Sequence, residues 1–426
     1  MKGLIERLIR GLARSILGVY EPTVVGITGS VGKTSTKDAI AAVLAAKFRV
    51  RKNLKNYNNE FGVPLTIIGA ETAGRSAIGW MVVILKALRL LFFRQLDYPN
   101  ILVLELGADH PGDIQKLTDL VPCPVAVLTA VSPAHTEFFG SLNAVFAEKR
   151  VLIDRLPEHG TAVLNIDDER VRQTASTTKA KVLTYGFSAD ATVCAADASL
   201  FADSPQGFPT GLQCNVHAGG TVVPLKLAGV VGRHQLTPAL AAIAVGFAFG
   251  MNLPETVRAL GSYHPPAGRM TLIPGIKGTL ILDDSYNSSP AALHAALDTL
   301  HDLPNAKRRI ACLGTMAELG ALSDAEHEHA GRRVAEHGFN LLITVGAEGK
   351  KIASAAEAAG MSSDRVCAFD DAAPAGRFLQ ERMETGDVIL IKGSQMVRLE
   401  RIVKEVMAEP EKAGELLVRQ GEEWEK

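Results

Sequence analysis

Gly26-Ile-Thr-Gly-Ser-Val-Gly-Lys-Thr34, followed by Ser35, Thr36 and Lys37, decides how this chain is read. Apolar Val24 and Val25 lead into it, and a helix-forming run from Asp38 to Lys47 leads out. A strand, a glycine-rich turn and a helix start are the context of a phosphate-binding loop. The backbone N–H groups of Gly29, Ser30, Gly32, Lys33, Thr34 and Ser35, with the helix dipole, would hold phosphate oxygens. Lys33 would reach the terminal phosphates, and the Thr34 hydroxyl would face Mg²⁺. The strict Walker spacing asks for glycine at position 27, where Ile27 stands; the first glycine is Gly26, one residue further away. An ordinary turn before a helix is the bland alternative, and the strand-to-helix context favours nucleotide binding.

A chain of 426 residues with 47% apolar residues is long enough for two or three domains. Forty-five basic against 46 acidic residues leave a net charge of −1, which excludes a nucleic-acid partner recruited by overall charge. Five cysteines, at 123, 194, 214, 312 and 367, form no CxxC pair. They read as buried thiols of a reducing compartment and argue against a zinc ribbon. The Asn287-Ser-Ser sequon has no other sign of secretion beside it.

The N-terminus is not a signal peptide. Between Met1 and Tyr20, Lys2, Arg7, Arg10 and Arg14 alternate with Leu4, Ile5, Leu8, Ile9, Leu12, Ile16 and Leu17 at helical spacing. Such a helix either packs on the domain that follows or lies on a membrane surface. Ala77 to Phe93 is strongly apolar but carries Lys86 and Arg89, flanked by Arg75 and Arg94. Two central cations, each costing about 2.5–3.5 kcal/mol on insertion scales, argue against a membrane span. An interfacial helix or a partner-binding helix fits better, so residues 1–20 and 77–93 together are a candidate surface for a membrane or a protein partner.

Asn56-Tyr-Asn-Asn-Glu-Phe-Gly-Val-Pro64 is a shaped loop whose Asn56, Asn58 and Asn59 amides can hold substrate oxygens. Asn100 to Gly107 reads as a buried strand with Glu105 at its C-terminal end, the place where α/β folds set metal ligands. Val125 to Thr129 is the next strand, followed by His135 and then by a helix carrying Glu148-Lys149-Arg150. Ala191 to Leu227 turns to Gly, Thr and Val, a small β-rich lobe; Gly232 to Pro238 opens an alanine-rich helix, Ala239 to Phe249. Tyr263 to Arg269 is Pro/Gly-rich and reads as a linker. Beyond it, strands at Gly278–Asp283, Arg309–Leu313, Leu341–Val345 and Val388–Ile391 end in Asp284-Ser-Tyr-Asn287, Gly314-Thr-Met-Ala-Glu-Leu-Gly320 and Lys392-Gly-Ser394. The fold expected is α/β. An amphipathic N-terminal helix (1–22) precedes a P-loop central ATPase domain (23–266), which has a β-rich lobe and an apolar insertion at 75–97. A Rossmann-like C-terminal α/β domain (267–408) and a charged, solvated tail (409–426) follow.

Taken in order, these motifs resemble the Mur ligase family, and within it the MurF branch, from about Thr23 to Val403. The motifs are the loop, NYNNEFGVP, LELGADHPGDI, SPAHTEFFGS with its downstream lysine, LNIDD, GRH…ALAA, the AGRM linker, DDSYN, GTMAELG with a following His, and LIKGS. The resemblance implies an ATP-dependent carboxylate–amine ligase of the cytoplasm. In that reaction an acceptor carboxylate attacks the γ-phosphate of ATP, and an amine then displaces phosphate from the acyl phosphate. It implies Mg²⁺ held by Thr34, Glu105 and His135, and a carbamylated Lys149 as a metal-binding anion. It places Gln235 at the adenine, Arg269 at the phosphates, Asp284 and Asn287 by the ribose, and His327 and Lys392 by the amine substrate. A surface salt bridge is the bland reading of Lys149.

This chain departs from the family pattern at several positions. Gln235 and Pro238 stand where the family has two asparagines, Asp109 replaces an Asn, Ser289 replaces the second Asn of DDSYNANP, and Gln395 replaces the Arg of KGSR. Pro238 cannot donate a hydrogen bond, which weakens the expected adenine contacts. Only about 22 residues precede the loop, where the family has a domain that grips a UDP-sugar. The acceptor is then expected to be held by a partner or to be of another kind, UDP-linked or lipid-linked, the latter at the inner face of the membrane. Two other readings compete. One is amidation of a lipid-linked precursor with ammonia from a glutaminase partner, as in MurT-like proteins, which carry a zinc ribbon this chain lacks. The other is a non-catalytic ATP-binding scaffold, which would have no need of Lys33, Glu105, His135 and Lys149 together.

Overall fold

The computed structural model describes residues 2–54, 57–133, 136–203, 207–421 and 424. The first helix, α1 (Lys2–Tyr20), precedes a nine-stranded sheet. Its strands are β1 (Thr23–Thr28), β2 (Val50–Lys52), β3 (Ile101–Glu105), β4 (Val125–Leu128), β5 (Thr161–Asn165), β6 (Lys181–Gly186), β7 (Val193–Phe201), β8 (Gly211–Ala218) and β9 (Thr221–Ala228), in the order β2-β3-β1-β4-β5-β6-β7-β8-β9. From β2 through β7 the pairs are parallel, and β7-β8-β9 is an antiparallel meander. The β-rich stretch forms this meander. It extends the main sheet through Tyr185↔Val193 and Gly186↔Cys194.

Parallel strands need both faces covered, and β3 shows how the sequence arranges it. Ile101 and Val103 face one core with α2 (Lys33–Ala45) and the helix Leu236–Ala248, whose alanines allow close packing. Leu102 and Leu104 face the other, with α1, α3 (Gly62–Ile68), α4 (Ala77–Phe92), α5 (Asp113–Leu120), α6 (Thr136–Phe139) and α7 (Leu142–Asp154). Ile9, Ala13 and Ile16 of α1 are buried in this second core. Arg10 and Arg14 reach the α5 carbonyls of Lys116 and Asp119. Pro238 sits in the first turn of its helix, where a missing N–H costs no intrahelical bond.

The second domain is a six-stranded sheet of β10 (Thr271–Gly275), β11 (Thr279–Asp284), β12 (Arg308–Gly314), β13 (Leu341–Val345), β14 (Val366–Phe369) and β15 (Asp387–Lys392), ordered β10-β11-β15-β12-β13-β14. Only β10 runs antiparallel, so the C-terminal ends of β11, β15 and β12 point the same way and carry the three expected loops. The tail is a correction. Ala413 and Leu417 pack into the core, and Arg419 is buried on the Ser285 and Tyr286 carbonyls and Glu400. Arg419 is paired inside the fold, while Glu409, Glu411, Lys412 and Glu415 stay exposed.

Candidate active site

The loop leaves β1 at Thr28 and enters α2 at Lys33, with Gly29 and Gly32 at φ of +149° and +80°. A Cβ on Gly29 would stand 1.9 Å from Thr129 Oγ1, so only glycine allows β1 and β4 to close on the loop. The loop is further pinned to β4's exit: Ser30 N donates to Ala130 O (2.7 Å), Ser30 Oγ to Ser132 O (2.9 Å) and Thr129 Oγ1 to Val31 O (2.7 Å). Lys33 folds over it, donating to Gly29 O (2.7 Å) and Ser30 O (3.2 Å).

Glu105 ends β3 beside β1, in register with Ile27. Its buried carboxylate accepts from Thr34 Oγ1 (2.9 Å) and from Asn58 Nδ2 (3.2 Å). Asn53, whose role the sequence did not disclose, holds this residue by its backbone: Glu105 N donates to Asn53 Oδ1 (2.9 Å), and Asn53 Nδ2 donates to Glu105 O (3.0 Å). Lys37 in turn donates to Asn53 O (2.9 Å). Asn59 closes its own loop through the Phe61 and Gly62 N–H groups and does not point at the carboxylate.

Lys149 on α7 is buried rather than a surface ion-pair partner. Burial first, then the charge of Lys33, lowers its ammonium to about 7 against the pull of Glu148, Asp109 and Glu105. Burial also lowers Lys33, opposed by Glu105 and Asp109 and aided by Arg269. Both lysines, Glu105 and Asp109 therefore share one electrostatic neighbourhood, and Asp109 adds a charge the family's asparagine would not. Glu148 faces away, capping α5 through Gly112 N and Ile114 N (both 2.7 Å). Asn56 and His135 lie outside the described residues.

Arg269 comes from the linker, its guanidinium 4.0 Å from the Tyr286 ring centroid and close enough to depress Lys33. The domains also touch where Glu137 N donates to Glu318 O (3.4 Å). Asp284 is paired with buried Lys392 (2.7 Å), which also donates to Asn287 O (2.9 Å). Lys392 thus shapes the Asp284–Asn287 loop. His327 lies wholly buried, its Nε2 accepting from Met316 N (2.8 Å) and its Nδ1 donating to Ser323 O (2.7 Å). Both ring nitrogens are committed: Nδ1 to the helix's own first turn and Nε2 to the Gly314–Gly320 loop, which Ser394 also pins through Ala317 N (2.8 Å). Gln235 is buried in a single turn, Arg233–Gln235, at the start of the alanine-rich helix.

The donor set is hard oxygen beside a phosphate loop, which suits Mg²⁺ and a triphosphate better than a soft metal. Next to it opens a cavity of about 400 Å³ lined by Asn58, Asn59, Gly107, Asp109, His110 and Lys116. Such a site can hold a polyphosphate on one side and a second, polar molecule on the other.

Comparison with known proteins agrees. The Mur ligase middle domain matches residues 27–78 and 86–246, and the Mur ligase glutamate ligase domain matches 268–395. The chain is 29% identical over 402 residues to the UDP-N-acetylmuramoyl-tripeptide–D-alanyl-D-alanine ligase of Bacillus subtilis strain 168, covering 94% of this chain and 79% of that one. It is 32% identical over 408 residues to the ligase of the same name from Mycobacterium tuberculosis H37Rv, covering 91% and 73%. The crystal structure of the MurF ligase of Thermotoga maritima in complex with ADP superposes with a TM-score of 0.78 at 29% identity, covering 96% of this chain and 84% of that one.

Proposed function

The chain belongs to the Mur ligase family and is an ATP-dependent ligase that forms carbon–nitrogen bonds; on that premise we propose that it works as a MurF-type enzyme. Its acceptor is a peptide carboxylate of a cell-wall precursor and its amine substrate a dipeptide, D-alanyl-D-alanine by analogy with the relatives' names. The observation that carries this reading is the meeting of Lys33, Thr34, Glu105 and Lys149 with Arg269 of the second domain.

The acceptor carboxylate and ATP are both anions, so the site must neutralise charge before they can approach. Lys33 and Arg269 do so at the phosphates; the amide of Asn58 and the cavity beside it orient the acceptor. Attack on the γ-phosphorus makes an acyl phosphate and ADP, and the amine then displaces inorganic phosphate to leave an amide. Bound Mg²⁺, held by Thr34, Glu105 and a carbamylated Lys149, would supply the remaining positive charge. The low pKa of Lys149 supports that modification, because carbon dioxide reacts only with a neutral amine. Asp284 and Asn287 serve the ribose, and Gln235 the adenine. A surface partner at residues 1–20 and 77–93 is part of the same reading.

The test is ADP release from purified protein with ATP and Mg²⁺. Acceptors should be UDP-N-acetylmuramoyl-tripeptide and a lipid-linked counterpart, each offered D-alanyl-D-alanine, single amino acids and ammonia. Turnover that needs both an acceptor and a dipeptide supports the reading. Turnover with ammonia alone would replace it with amidation.

A further inference from the structure

The outer face of α4 plays no part in the chemistry above. At helical spacing Trp80, Val83, Ala87 and Leu90 turn into the core. On the opposite side Ile78, Met81, Leu85 and Phe92 project with Val82 beside them, Ile78 71% exposed and Phe92 77%. Phe93 and Leu96 continue the stripe at 71% and 87% exposed. A surface helix sets polar residues opposite its buried stripe, and this one sets a second apolar stripe there. Exposed cations frame it: Arg75 before the helix, Lys86 and Arg89 along it, Arg94 after it. No Asp or Glu occurs between residues 72 and 96.

α1 is fastened alongside. The Tyr20 hydroxyl donates to Leu90 O (2.9 Å) and accepts from Gln95 N (2.9 Å), and the Tyr20 ring stacks on Tyr98. Leu4, Leu8, Arg7 and Arg14 of α1 are exposed in turn. The match to the family description breaks at 79–85, the middle of α4.

We propose that this face docks the enzyme on the surface of an anionic bilayer and that the acceptor carboxylate is presented there on a lipid carrier. An exposed apolar stripe of this kind marks an interaction site. Arginines and lysines framing large apolar side chains suit anionic headgroups over acyl chains. Among the described residues no helix is long and apolar enough to cross a membrane, and α4 cannot leave the protein because its inner face is core. The helix therefore lies on the bilayer.

The same helix is tied to the acceptor side of the site. Trp80 meets Phe61 edge to face, ring centroids 5.4 Å apart, and Thr72 N donates to the Tyr57 hydroxyl (3.0 Å). Tyr57 and Phe61 bracket Asn58, which holds Glu105. Docking α4 thus brings the loop that orients the acceptor to the membrane side of the enzyme. The lipid carrier rests on the ligase reading above; the docking does not.

Vesicle co-sedimentation of the full chain tests both. Phosphatidylcholine vesicles containing phosphatidylglycerol should retain it, pure phosphatidylcholine at least tenfold less, and Leu85→Glu/Phe92→Glu should lose retention at least tenfold. That variant should still turn over a soluble UDP-linked acceptor and lose its advantage with a lipid-linked acceptor in vesicles. No retention on anionic vesicles, or retention indifferent to the variant, overturns docking. A concentration-dependent dimer in sedimentation velocity that the variant abolishes, without lipid binding, reassigns the face to self-association and also overturns it. Retention with equal use of both acceptors refutes only the lipid carrier. Absence of turnover with any acceptor, with docking intact, refutes the ligase reading instead.

Discussion

The hydroxyl of Thr34 donates to the carboxylate of Glu105 at 2.9 Å, joining the first turn of α2 to the end of the neighbouring strand. Both groups are oxygen donors, so one contact sets the spacing of two prospective cation ligands. Glu105→Gln keeps the shape and removes the charge. ADP release should fall by about a hundredfold or more, the usual cost of losing one electrostatic contact to the reacting groups. The half-saturating Mg²⁺ concentration should rise. A variant with wild-type turnover and Mg²⁺ demand would remove Glu105 from the site.

Lys149 gives a pH signature. Its folded pKa of about 7 lies below the ordinary 10.5, so between these values the unfolded chain holds the extra proton and stability rises with pH. Lys149→Met should flatten that slope in urea titrations between pH 7 and 10. With ¹³C-bicarbonate, a carbamate resonance should appear in the wild type, strengthen as pH rises through 7, and be missing from Lys149→Met.

Arg269 stacks on Tyr286 while its charge reaches Lys33. Arg269→Ala should raise the KM for ATP and lower kcat together, because the contact forms only with both domains in place. Arg269→Lys should rescue little, since lysine offers neither the planar stack nor the bidentate fork. Rescue by lysine would mean that charge alone is used.

Arg419 closes the buried acid Glu400 (2.8 Å) and two carbonyls of the Ser285–Tyr286 turn. Arg419→Ala should destabilise the second domain by about 2 kcal/mol, because Glu400 Oε2 and the two carbonyls lose their donor while Arg398 still holds Glu400 Oε1, read as a lower midpoint in thermal melts. It should also raise the KM for ATP, whereas a purely structural role would leave it unchanged.

Local signals made much of this legible. The glycine pattern before an apolar strand revealed the phosphate loop, and unbroken apolar runs such as Ile101–Leu104 revealed parallel strands. Motif order and resemblance name Glu105 and Lys149 and bring them together; spacing alone could not do so, because β3 and α7 lie far apart in the sequence. Asn53 was invisible for the same reason: its bonds to Glu105 span 52 residues. The motif resemblance alone places His327 and Lys392 by the amine substrate, and it says nothing of burial; both are buried and bonded to loops. The tail misled by composition alone, since charge runs imply solvent only when no opposite charge waits in the fold.

The chain has two tryptophans, one on α4 of the first domain and one packed against Arg398 of the second. Trp80 meets Phe61 edge to face beside the acceptor loop, while Trp424 lies under Arg398, which is paired with Glu400 in the Arg419 cluster. Intrinsic fluorescence is therefore two separable signals. Emission from Trp80 reports the acceptor loop, and emission from Trp424 reports the nucleotide-side turn. Single Trp→Phe variants would let the order in which the two substrates engage be followed without a label.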